Sequence, residues 1–423
     1  MLAHRRGAAE LTTGPQRPTP ATRFLPPGLG APGAVLGPDP IALLDGLGGA
    51  GRRALRALPA DRRARAWRRA LAVLLDPRSA ARRGLDPALL AATRLSPPGL
   101  QAGLAAIGRG LLGASAEELF AHAAAAPVRE RAPPALVVLS ANLPGLAMQT
   151  VLPALALGRP LVLRSSTREP CFAPALLRAL AAEEPALAHA FAALTGPHGD
   201  ALEDTLLAGC DPVLAYGGRR ALDALRRRVA GRLVELGPKL SLALVGGGAG
   251  DDEISRLARD VALFDQRGCL SVQLVLGPAP AERVARALVR GLDRQASSLP
   301  PGAPSLEESA AVARELDLAR LRGDAVIPAA AGAVVIEPAD APLRPAPGGR
   351  VVRLRRVAGL DAVPTLLTPW SGLLQGVALA GIDPAQVEPA LRGLGVSRVA
   401  PAGELQETDA RWQNGGVDPL DVL

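Results

Sequence analysis

Short apolar runs bounded by turn residues recur from about residue 134, each followed by a longer segment with helical spacing. Ala135–Ser140 predicts a first strand, and residues 146–157 a helix. Leu161–Arg164 predicts a second strand, with a helix from about residue 171. Pro212–Tyr216 predicts a third, after which Gly217-Gly218 opens a helix over 219–229. Arg232–Glu235 and Leu242–Val245 follow as strands, then a helix over 252–264, a strand over 270–276 and a helix over 280–296. Strands that are apolar throughout and separated by helices imply a mostly parallel sheet covered on both faces. Right-handed crossovers make a doubly wound arrangement the economical solution. Upstream, residues 40–130 have helical periodicity, and Ser115-Ala116-Glu117-Glu118 predicts a capping box opening a helix through Phe120. The expected fold class is α/β with a helical N-terminal region.

Punctuation divides the chain further. Residues 1–38 are rich in Pro, Gly and Thr and predict a flexible arm. Residues 39–240 then hold the helical region and a first α/β domain, 241–400 a second, and 401–423 a C-terminal segment. Gly246-Gly247-Gly248-Ala249-Gly250-Asp251 marks the boundary, whereas the Pro-rich breaks at 300–304 and 338–348 read as surface loops.

Composition narrows the function. The net charge is +8, but aromatics are only 2% of the chain and the arginines are dispersed among acidic residues, which argues against a nucleic-acid partner. The densest run, Arg62-Arg63-Ala64-Arg65-Ala66-Trp67-Arg68-Arg69, reads as the solvated face of a helix. Three cysteines without CxxC or metal spacing point to a reducing, cytoplasmic setting and no metal site. No apolar run approaches the roughly 20 residues of a membrane span. Lys239 is the only lysine, Tyr216 the only tyrosine, and Asn142 and Asn414 the only asparagines. Where composition has drifted so far toward Arg and Ala, the survivors carry weight.

The candidate chemistry centres on Phe264-Asp265-Gln266-Arg267-Gly268-Cys269-Leu270-Ser271. An isolated cysteine is by default a small buried hydrophobe. Here Gly268 allows close backbone approach, and Arg267 is expected to favour the thiolate, the reactive form. Cys171 and Cys210 lack such a setting and are assigned to packing. Glu235, in Val234-Glu235-Leu236-Gly237-Pro238-Lys239, and Asn142, in Ser140-Ala141-Asn142-Leu143-Pro144-Gly145, lie upstream of Cys269. Glu235 is either a proton-transfer group or an ordinary strand-end carboxylate; Lys239 is expected to anchor a turn. His4, His122, His189 and His198 form no cluster.

These motifs resemble the aldehyde dehydrogenase superfamily: Asn-x-Pro, then Glu-Leu-Gly-x-Lys, then a downstream Cys. The Cys269 segment, together with Val396-Ser397-Arg398-Val399, Gly403 and Trp412-Gln413-Asn414-Gly415-Gly416, is similar to the bioluminescence-type fatty acyl-CoA reductases, the LuxC-like family. The resemblance runs from about residue 60 to 423. It implies two α/β domains, each with a mostly parallel sheet. It implies a Cys269 nucleophile, with Asn142 and the Cys269 N–H as oxyanion donors, and NADPH reducing a fatty acyl-CoA to an aldehyde.

The resemblance also carries the other expectations. Arg164, Ser166 and Thr167 fall where the superfamily has Lys-x-x-Glu beside the adenosine ribose, and Thr167 in place of the glutamate favours NADPH over NADH. Gly196, Gly217 and Gly218 are expected near the cofactor phosphates. The superfamily's Glu-x-Phe-Gly-Pro has no counterpart; Thr368-Pro369-Trp370-Ser371-Gly372 falls in that region, with Trp370 and Gln375 as candidate site walls. Glu235 keeps acid-forming aldehyde oxidation open, and a catalytically silent binding partner is a third reading. An acyl-protein synthetase is an expected partner, and a homo-oligomer the expected assembly.

Overall fold

The first sheet is built from the most apolar runs in the chain. β1 (Ala135–Val138), β2 (Leu161–Arg164), β3 (Phe191–Leu194), β4 (Val213–Tyr216) and β5 (Leu233–Leu236) are parallel throughout, in the order β3-β2-β1-β4-β5. The first four are buried almost end to end, as covering helices on both faces require. The computed structural model describes residues 23–25, 39–125, 132–196 and 199–423.

The second sheet has seven strands: β6 (Leu240–Val245), β7 (Val272–Gly277), β8 (Ala325–Ala329), β9 (Gly332–Glu337), β10 (Val351–Arg356), β11 (Leu374–Ala380) and β12 (Arg398–Pro401). Their order is β12-β11-β6-β7-β10-β9-β8, and only the β8–β9 hairpin is antiparallel. Helices Asp251–Ala262 and Ala281–Ser298 pack on each other over one face.

Helices between Pro40 and Ala125 wrap the first sheet. Their anchor is Trp67, fully buried, whose indole N–H donates to the Leu111 carbonyl at 2.8 Å. The C-terminal residues return to the same core through Ala410, Val422 and Leu423.

Several expectations change. β6 lies in the middle of the second sheet, so the Gly246–Gly250 loop is internal to that unit. The chain passes between sheets at Gly237-Pro238-Lys239, between β5 and β6. Ser115 does not open a helix: the helix begins at Ala114, and the Ser115 hydroxyl donates to Gly110 and accepts the Ala410 N–H. The reciprocal capping box sits instead at Ser305 and Glu308, starting helix Leu306–Leu321. Most of residues 1–38, and His198, lie outside the described residues; Phe24 pairs with Ala193 on the edge strand β3.

One buried carboxylate fixes the C-terminal segment. Asp260 is fully buried and accepts the N–H groups of Gly403 at 2.7 Å and Leu405 at 2.9 Å. Burial pushes its pKa up to about 7, against the pull of those two donors and of Arg259 and Arg398. The unfolded chain releases this proton near the ordinary carboxylate value of about 4. Between those values the native state holds the extra proton, so this group's contribution to stability falls as pH rises and is gone above about pH 7. In denaturant unfolding, the stability of the wild type relative to Asp260→Asn should therefore fall across that interval. A difference independent of pH would contradict this assignment.

Candidate active site

The segment before Cys269 is bent against its own stereochemistry. Phe264, Asp265 and Gln266 have φ of 56°, 50° and 63° in succession. Left-handed backbone costs a side-chain-bearing residue about 1–3 kcal/mol and persists only where the surroundings over-determine it. They do so here. The Phe264 ring is buried against Gly103, where an added Cβ would lie 2.3 Å from a ring carbon. Asp265 accepts two hydrogen bonds from the Arg350 guanidinium, at 3.1 and 2.6 Å, and one from the Gly302 N–H at 3.0 Å. The Gln266 amide donates to the carbonyls of Val272 at 2.9 Å and Val351 at 2.7 Å. Gly268 then threads beneath Gln406, where a Cβ would stand 2.9 Å from its side-chain oxygen. The Ser241 hydroxyl fixes the Cys269 carbonyl at 2.7 Å.

Cys269 is half-buried on a cavity of about 390 Å³ that also receives Asn142, Tyr216, Lys239 and Asn414. Burial pushes its thiol up to about 11, while the N–H groups of Cys269 and Leu270 and the Lys239 ammonium pull the other way. Arg267 does not supply that charge. Its guanidinium turns away, donating to the Thr93 carbonyl and lying 3.3 Å from Glu308. Lys239 faces the sulphur instead, and also anchors the neighbouring loop by donating to Gly372 at 2.6 Å.

Asn142 follows β1. Its amide oxygen accepts from Ser140, and its nitrogen donates to the Arg267 carbonyl at 3.2 Å. These bonds orient the amide and leave a second N–H for an oxygen bound at Cys269. Glu235 is elsewhere. Side chains alternate along β5: Leu236 lines the cavity and Glu235 does not. Its carboxylate is held in a two-pronged pair by Arg226, at 2.8 and 2.6 Å. Among the described residues, no Asp, Glu or His lines the Cys269 cavity.

In an open parallel sheet, ligands bind beyond the carboxyl ends of the strands where the winding reverses. In this strand order the reversal lies between β1 and β4. Ser140–Asn142 follow β1 and Gly217-Gly218 follow β4, and both groups line the Cys269 cavity. The residues present thus fit a dinucleotide ending beside Cys269.

Other expected cofactor residues sit differently. Arg164 is buried at the end of β2, donating to the Gly196 carbonyl at 2.8 Å and lying 3.8 Å from Glu203. It braces the sheet, and Gly196 is its partner. Ser166 is half-buried and accepts the Arg168 N–H at 3.3 Å; Thr167 is exposed. Arg168 is exposed on the rim of the Cys269 cavity. Trp370 is not on the cavity, and Gln375 stands behind it, donating to Asn414 at 2.8 Å. A second cavity of about 680 Å³ shares Gln266, Arg267 and Gln273 with the first.

Among the polar residues lining the cavity, Tyr216, Gln406 and Thr408 were not assigned from sequence. Tyr216 ends β4 beside Cys269, and its rarity was the available signal. Gln406 and Thr408 enter only because the C-terminal segment folds back, which no local pattern reveals.

The comparisons agree with this architecture. A NAD-dependent benzaldehyde dehydrogenase from Corynebacterium glutamicum is similar with a TM-score of 0.65 and 16% identity, over 86% of each chain. A salicylaldehyde dehydrogenase from Pseudomonas putida G7 is similar with a TM-score of 0.68 and 14% identity, over 90% of this chain and 85% of that one. An NADP-dependent enzyme from E. coli is similar with a TM-score of 0.65 and 18% identity, over 90% and 86%. At such identities the likeness is one of fold. No curated protein matches the sequence. Residues 122–423 match the acyl-CoA reductase (LuxC) family, and with Cys269 and Asn142 meeting in one cavity of an aldehyde dehydrogenase fold, the chain belongs to that family of oxidoreductases.

Proposed function

We propose that this protein reduces a fatty acyl-CoA to a fatty aldehyde with NADPH, through an acyl thioester on Cys269. In the first half, the Cys269 sulphur attacks the thioester carbonyl and the CoA thiol leaves carrying the proton the cysteine gave up. Asn142 and the backbone N–H beside the sulphur receive the oxyanion; one such donor is worth about 3 kcal/mol. A reduced nicotinamide bound over β1 and β4 supplies the hydride for the second half. The carbon–sulphur bond then breaks, releasing aldehyde and, with one proton from solvent, the free cysteine. An acyl-protein thioester is an equivalent donor, because Cys269 engages only the thioester carbonyl.

The observation that carries this reading is the tying-off of Glu235 by Arg226. Forming an acid would need a base to activate water against the acyl-enzyme, and none lines the cavity among the described residues. A thioester protected from hydrolysis survives to meet hydride. The same feature argues against acid-forming oxidation, and the shared cavity of Asn142 and Cys269 argues against a silent partner role.

NADPH oxidation by the purified protein with a panel of acyl-CoAs should yield aldehyde, not acid. Cys269→Ala should abolish turnover, and Asn142→Ala should lower kcat about 10²–10³-fold. Turnover retained in Cys269→Ala, or carboxylic acid as the product, would contradict the reading. NADPH preference is assigned to the Ser166–Arg168 turn, with Arg168 pairing the 2′-phosphate. Arg168→Ala should raise KM for NADPH about tenfold and leave KM for NADH nearly unchanged. An equal effect on both cofactors would remove Arg168 from that role.

A further inference from the structure

The proposed reaction leaves one part of its substrate without a place. The Cys269 cavity has Asn142, Lys239 and Arg168 in its lining, and its volume of about 390 Å³ must also admit the nicotinamide. The hydrocarbon chain of a fatty acyl group is neither polar nor small. It needs an apolar wall within reach of the nucleophile.

The second cavity supplies one. Its volume of about 680 Å³ falls within the range of roughly 300–1,000 Å³ usual for ligand pockets. One side is helix Leu306–Leu321. Ser309, Val312, Ala313 and Leu316 share a face of that helix, at i, i+3, i+4 and i+7, and all four line the cavity. A helix of this length ordinarily hides its inner face in a core. This one buries only Ala319, and Val312 and Leu316 stay half-buried. The remaining lining includes Ala331-Gly332 at the start of β9 and residues 346–349 before β10. Gly349 has a φ of 62°, and a Cβ there would lie 2.7 Å from the Val312 side chain, so the loop comes up against the helix at that point.

Charge selects the occupant. Among the described residues four charged side chains line this cavity, and each has a partner within it: Asp265 with Arg350 at 2.6 Å, and Arg267 with Glu308 at 3.3 Å. No cation is left over to neutralise a phosphate or carboxylate, whereas Val312, Leu316, Pro301, Pro304 and Pro347 offer carbon. Position ties the cavity to the nucleophile. Gln266 and Arg267 belong to the segment that leads into Cys269, and Gln273 follows it on β7; all three line both cavities.

We propose that the second cavity is the acyl-chain site. The thioester carbonyl sits between Cys269 and Asn142, and the hydrocarbon chain runs past Gln266 and Gln273 to lie against helix Leu306–Leu321. Val312, Ala313 and Leu316 then set the chain length the protein accepts. The identity of the chain rests on the reductase reading; the place of the chain rests on the cavity.

The test locates the chain directly. Wild-type protein is incubated without reductant with a hexadecanoyl-CoA analogue carrying a diazirine near the end of its chain, then irradiated, and the cross-linked peptides are mapped by mass. Cross-links should fall within residues 301–316 or 346–349. Cross-links confined to other segments, or none at all, overturn the proposal. A second measurement compares chain lengths. Ala313→Trp places an indole in the cavity from an exposed position. Each methylene moved from pocket to water costs about fourfold in affinity. The variant should therefore raise KM for hexadecanoyl-CoA roughly tenfold and leave KM for butyryl-CoA nearly unchanged. An equal rise for both would put the CoA arm in the cavity and overturn the proposal, as would no change for either. Failure of every acyl-CoA to turn over would count against the reductase reading, whereas the cross-linking result is read without turnover.

Discussion

Three consecutive left-handed residues, Phe264 to Gln266, are the constraint on which the site depends. Unsupported, they would cost several kcal/mol together and the segment would relax into ordinary helix or turn. Two buried interactions prevent that. The Asp265–Arg350 pair, 12% and 3% exposed, ties the turn to the start of β10. The Gln266 amide ties it to carbonyls at the start of β7 and β10. An ion pair so enclosed contributes little net stability, yet breaking it leaves a buried charge alone. That asymmetry suits a device for holding geometry. Cys269 is aimed by a strained turn clamped to two strands of its own sheet.

The rest of the cavity comes from the first sheet and from the chain's end. β1 and β4 deliver Asn142 and Tyr216 at the reversal of strand order. The crossing at Gly237-Pro238-Lys239 delivers the one ammonium near the sulphur. Asp260 pins residues 403–405, and Gln406, Thr408 and Asn414 beyond them join the cavity lining. The assembled surface can stabilise an oxyanion and a thiolate, while its lining holds no carboxylate or imidazole among the described residues. In the proposed reaction, such a lining favours passing an acyl group from thioester to thioester over losing it to water.

Much of the frame was legible in the sequence. Continuous apolar runs gave β1, β2 and β4, because strands buried on both faces leave no room for polar positions. β3, Phe191-Ala192-Ala193-Leu194, hides in an alanine-rich stretch that reads equally as helix. Helix Leu306–Leu321 has almost no apolar stripe, since of its residues only Ala319 is buried. The Cys269 segment was legible because its whole octapeptide is distinctive. Side-chain direction was not. Glu235 and Leu236 are neighbours on one strand, and only the sheet decides which faces the cavity. Arg164 and Arg267 look like free cations in sequence, yet both are spent on backbone carbonyls.

The most direct measurement is covalent. The protein is incubated with an acyl-CoA and no reductant, and its mass is followed together with the CoA released. The account predicts one acyl group per chain, mapped to the peptide containing Cys269, absent from Cys269→Ala, and discharged as aldehyde when NADPH is added. A folded protein that acquires no adduct, or acquires it on Cys171 or Cys210, would contradict it.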